Sequence, residues 1–196
     1  MTIASRYFSE DLFLSELWFQ CALFSHSISR LERAAEHWIK IGQGIDDGET
    51  ASPLEIVADC TVSLSAMAAI RRVLSPHAKA KSAIQHRSKR LMELLDQPQL
   101  PCVTSAVVRN AWEHFDERLD EYLAKTSPGK RFVTELQVSS QINNSDATVM
   151  RRFDPQELAI TFRTQSILLR PCAEEIKSLS KAIAMAYLQL HKQSAS

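Results

Sequence analysis

Glycine is scarce, and three of the chain's four glycines fall within one short segment, from Gly42 to Ala51. No Gly-rich phosphate loop, nucleophile elbow or zincin pattern appears, which sets aside the enzyme classes those motifs mark. The four cysteines, Cys21, Cys60, Cys102 and Cys172, are widely spaced, with no C-x-x-C pair and no histidine at metal-ligand spacing beside them. Reduced core thiols are expected, and neither a metal site nor a cofactor is called for. Net charge is missing too: 23 basic and 23 acidic residues cancel, so any site for a polyanion must be local. The apolar stretch from Leu12 to Phe24 is interrupted by Glu16, follows Glu10 and Asp11, and has no basic leader. Neither a signal peptide nor a membrane partner is expected, and the reducing cytoplasm is the expected location.

What is present is ordinary globular composition, 45% hydrophobic and 23% charged over 196 residues, enough for one core and read as a single domain over 1–196. Apolar residues recur at Phe13, Leu17, Cys21, Phe24, Ile28, Leu31, Ala35 and Trp38, the three-and-four spacing of one long helix. Phe13, Trp18, Phe24 and Trp38 are expected in the core rather than on a base-stacking platform. Ser52, Pro53 and Glu55 combine an N-cap, a first-turn proline and a capping-box acid, so a second helix starts there. A third runs from beyond Pro76 to about Asp96, and a fourth from about Val103 to Lys125, stopped by Ser127, Pro128 and Gly129. Alternation over Phe132–Val138 and Leu158–Phe162 predicts short antiparallel strands, with a loop at Asn143, Asn144, Ser145 and Asp146. Pro171 opens a last helix. The expected architecture is mainly α, a bundle of about five helices with a small antiparallel β insert at about 131–169 before the last one.

The fourth helix holds the chemistry. At about 100° per residue, Val108, Ala111, Trp112, Phe115, Leu119 and Tyr122 form one apolar stripe, while Asn110, His114, Glu117 and Glu121 lie opposite. His114 therefore faces solvent or a second subunit. Asn110 stands one turn before it, and Arg109 has the reach to meet a ligand they share. Between Asp59 and Glu93 there is no acidic residue, while Arg71, Arg72, Lys79, Lys81, Arg87, Lys89 and Arg90 all occur. Arg71 and Arg72 are the candidates for phosphate contact, together with Arg118 on the motif helix.

The run Arg109-Asn110-Ala111-Trp112-Glu113-His114, continuing into Phe115-Asp116-Glu117-Arg118-Leu119-Asp120, resembles the R-x-x-x-x-H signature of the HEPN superfamily, with a polar residue directly after the arginine. A strand insert before a final helix, holding Arg152-Phe153-Asp154-Pro155, is similar to bacterial HEPN-like proteins as well. The resemblance implies a metal-independent endoribonuclease, toxin-like or phage-defence related, in which two subunits of a homodimer pair their motif helices around a composite site, and an antitoxin partner. Its catalytic residues would be Arg109, Asn110 and His114: the imidazole moving protons near neutral pH, the guanidinium holding the phosphate, and the amide orienting them. Five acidic residues between Glu113 and Glu121 would repel RNA unless a second subunit's basic surface offsets them.

Two alternatives stand beside this. One is a catalytically inactive HEPN-like module that binds RNA or a nucleotide through Arg109 and the basic third helix. The other is a helical interaction protein whose motif helix is a dimer surface, with Arg109 paired to an acid such as Glu113.

Overall fold

The computed structural model describes residues 3–46, 48–126, 129, 131–140 and 147–194. The expected stop at Ser127 and Pro128 and the expected loop at Asn143–Asp146 lie outside the described residues. The chain is mainly helical, with α1 (Ile3–Gly42), α2 (Pro53–Leu74), α3 (Ser82–Leu94), α4 (Val107–Glu113), α5 (Phe115–Leu123) and α6 (Leu169–Ser194). Four strands, β1 (Arg131–Val138), β2 (Ala147–Asp154), β3 (Ala159–Phe162) and β4 (Gln165–Leu168), form one small sheet before the last helix.

The chain divides into two compact units, and α1 and α2 contribute to both. The first, Met1–His26, Ser65–Thr104 and Pro171–Ser196, is helical. Leu14, Leu17, Cys21 and Phe24 of α1 are buried here, as are Ile176, Leu179, Ile183 and Leu190 of α6. The two helices run antiparallel, since the Tyr187 hydroxyl meets Ser15 Oγ and donates to the Asp11 carbonyl, while Ser180 bonds the Cys21 thiol. Trp18, expected in the core, is 50% exposed. The buried positions 14, 17, 21 and 24 already define the helix's inner face, and Trp18 projects off it. Two residues of the basic run pack on α1: the Arg87 guanidinium lies 4.2 Å from the Phe13 ring centroid, and Arg90 Nε is 3.3 Å from Glu10. The Glu175 carboxylate accepts from the backbone N–H groups of Cys102 and Val103 at 3.0 and 2.9 Å.

The second unit, Ser27–Leu64 and Ser105–Arg170, holds the sheet. Here α1 and α2 form an antiparallel pair fastened by a buried Ser27–Ser63 hydroxyl bond of 2.7 Å and by Arg30 Nε donating to Asp59 at 3.0 Å. The capping box at the start of α2 is formed as the sequence predicts: Glu55 N–H donates to Ser52 Oγ at 3.2 Å, and Ser52 N–H to the Glu55 carboxylate at 3.1 Å. Ser52→Ala is expected to cost about 1 kcal/mol, read as a lower urea midpoint at unchanged slope. By length and composition α2 is the one helix among the described residues apolar enough to cross a membrane, with 50% of its most apolar window buried inside the protein.

The strand order is β1-β2-β3-β4, with β2–β3 and β3–β4 antiparallel but β1–β2 parallel. The antiparallel expectation fails for that one pair because apolar alternation specifies which face a residue takes, not which way a neighbouring strand runs. β3 is buried along its whole length. Before it, Asp154 Oδ1 accepts from the N–H groups of Gln156 and Glu157, and Leu158 takes a left-handed backbone at φ 51° while being 1% exposed. Burial of its side chain offsets that strain.

All four thiols are free. Burial pushes Cys21 up to about 11 and Cys172 up to about 12, and raises Cys60 as well; the half-buried Cys102 is raised by burial and by Glu175.

Candidate functional site

The helix expected from Val103 to Lys125 is two helices, which makes six among the described residues where about five were expected. α4 ends at Glu113, His114 adopts φ −108° and ψ 45°, and α5 begins at Phe115. His114 closes one helix and opens the next, its N–H donating to the Asn110 carbonyl and its carbonyl accepting from the Arg118 N–H. The corner falls between two aromatics held by different neighbours. Trp112 Nε1 donates to Thr61 Oγ1 of α2 at 3.1 Å, whereas Phe115 meets Phe162 of β3 edge-on at 6.0 Å between centroids. Tertiary anchoring overrides a periodicity that runs unbroken through the sequence. Arg151 of β2 adds to the anchor, its guanidinium 3.6 Å from the Phe115 centroid and 5.2 Å from that of Trp112. Desolvation lowers its pKa.

Two of the three motif residues, Arg109 and Asn110, are tied together on α4, and His114 stands apart at its corner, beside Glu117. The Arg109 guanidinium donates to Asn110 Oδ1 at 2.9 Å, and its Nε stands 3.8 Å from the Glu113 carboxylate. Arg109 is 8% exposed, on the edge of the apolar stripe, where an arginine stem can cover hydrocarbon. Asn110 is exposed, as is His114, whose Nδ1 is 3.6 Å from Glu117. A carboxylate beside an exposed imidazole can hold the ring and stabilise its protonated form during a proton transfer.

Arg118 belongs to the same neighbourhood. It pairs with Glu121 at 2.8 Å, the solvated ion pair its spacing suggests, and with Asn110 it lines a cleft of about 440 Å³. Arg163, which sequence reasoning missed, lines this cleft too. Arg71 and Arg72 occupy the last turn of α2, within the helical unit; Arg71 is half-buried and Arg72 exposed. Among the described residues no three His, Cys, Asp or Glu side chains gather as metal ligands would. Comparison of the chain with models of protein families, with curated proteins and with solved structures finds no match.

Proposed function

We propose that this chain is a metal-independent endoribonuclease of the HEPN type, working in the cytoplasm as a homodimer with a composite site, in toxin-like or phage-defence cleavage of RNA. The observation that supports it is the exposed His114 imidazole at the α4–α5 corner, backed by Glu117 and one turn from an Asn110 that holds the Arg109 guanidinium. In this reaction His114 accepts the proton of a ribose 2′-hydroxyl, and the 2′-oxygen attacks the adjacent phosphorus. The P–O5′ bond breaks, leaving a 2′,3′-cyclic phosphate and a 5′-oxygen that takes a proton from water to become the 5′-hydroxyl. Arg109 stabilises the charge gathered on the phosphate oxygens. Arg118 contacts the backbone nearby, while Arg71 and Arg72, in the other unit, are phosphate-contact candidates in their own right. The test is cleavage of total RNA in EDTA by the wild type and by His114→Ala, with the product ends identified.

A second reading has its own observation. Arg109 is buried and carries Glu113 as an ion-pair partner, which suits a motif that binds or dimerises without cleaving. That reading expects RNA retained intact by wild type and His114→Ala alike.

A further inference from the structure

We infer that the cleft bordered by α4, α5 and the β3–β4 hairpin holds the phosphodiester backbone of single-stranded RNA through Arg163, Lys125 and Arg118. The cleft carrying Asn110 adjoins a hollow of about 300 Å³, and the two share Arg118, Glu121, Phe162 and Arg163, the hollow adding Lys125. Charge is not balanced there. Glu121 is taken up by Arg118 at 2.8 Å, and among the described residues no carboxylate pairs with Arg163 or Lys125, so the cleft has two uncompensated cations.

Arg163 is built in at some cost. It is the first residue of the two-residue connection between Phe162 and Gln165, with φ 53°, a left-handed conformation that Gly or Asn adopts with far less strain. Its N–H donates to the Met150 carbonyl at 3.0 Å, and its guanidinium carbon lies 3.9 Å from the centroid of Tyr122, itself packed edge-on against Phe132 at 5.4 Å. Stacking on a ring fixes the guanidinium without consuming its N–H donors, which leaves a pre-positioned fork that matches phosphate oxygens. Strain at an exposed side chain that stands ready to donate is the pattern of a binding position. RNA is favoured over an acidic protein segment because motif residue Asn110 opens onto the same cleft; to that extent the inference rests on the ribonuclease reading.

The probe is a short, fully 2′-O-methylated oligouridine, which lacks the nucleophile and cannot be cleaved. Its affinity is followed by fluorescence anisotropy across a range of potassium chloride. Arg163→Asn is expected to weaken binding about tenfold at low salt and to flatten the plot of log affinity against log salt by about 0.7, one single-strand phosphate contact. Its melting temperature should be unchanged or higher, because Asn tolerates the backbone. Lys125→Gln, at an exposed position, should flatten the slope by a similar amount. Unchanged affinity and slope in both variants overturns the inference, as does wild-type binding of oligoglutamate in preference to the oligouridine. Cleavage of unmethylated RNA, run in parallel, separates the two ideas. Binding that depends on Arg163 without cleavage removes the ribonuclease and keeps the cleft; cleavage with binding indifferent to both variants does the reverse.

Discussion

His114→Ala should lower the rate of RNA cleavage in EDTA by about a thousandfold, with the fold intact. General acid–base catalysis by a positioned side chain contributes on the order of a hundred- to ten-thousandfold, and His114 is the one imidazole in the motif. Its side chain is 55% exposed, so truncation removes little packing. Its backbone N–H and carbonyl bonds, to Asn110 and from Arg118, survive the substitution. Circular dichroism and the melting temperature should therefore match the wild type, which ties any lost activity to the imidazole. Glu117→Gln removes a partner 3.6 Å away rather than the proton carrier, and a smaller loss is expected. Equal cleavage by wild type and His114→Ala, at purities that exclude a contaminating nuclease, would sink the mechanism.

The elements legible in the sequence are those specified by local chemistry. The capping box at Ser52 and Glu55 forms because its two hydrogen bonds are made within four residues, and the stripe of α1 is buried from Leu17 to Ala35 at the positions its spacing marks. The β insert, expected at about 131–169, spans Arg131–Leu168. What was not legible depends on partners distant in sequence. The corner at His114 has no Gly or Pro to announce it; it follows from Trp112 bonding to Thr61 while Phe115 packs on Phe162. The parallel pairing of β1 with β2 leaves the same alternation as an antiparallel one. Arg163 escaped notice because a left-handed turn position is expected to carry Gly or Asn, and an arginine there carries no sequence signature. Within the site, the exposure of His114 and Asn110 follows from helical projection, whereas the burial of Arg109 does not: it sits about 100° from Val108, on the boundary of the stripe.

That burial makes Arg109 and Glu113 the most informative pair to change. Arg109→Ala leaves the Asn110 amide oxygen and the Glu113 carboxylate without their guanidinium, and a loss of about 1–3 kcal/mol in urea unfolding is expected, below the range for fully buried pairs because Glu113 is 38% exposed. Cleavage should fall further than stability explains, by about a hundredfold or more, since a removed donor to transition-state charge typically costs about 3–4 kcal/mol. Glu113→Gln acts in the opposite sense on function. Removing the carboxylate that competes with phosphate for the guanidinium should tighten RNA binding severalfold while costing less than about 1 kcal/mol of stability. The double variant separates the two roles. Glu113→Gln in the Arg109→Ala background relieves the orphaned carboxylate, so stability should partly return; cleavage should not, because no guanidinium is left to hold the phosphate. If activity returned together with stability, Arg109 would be a structural residue only, and the phosphate would have to be held elsewhere.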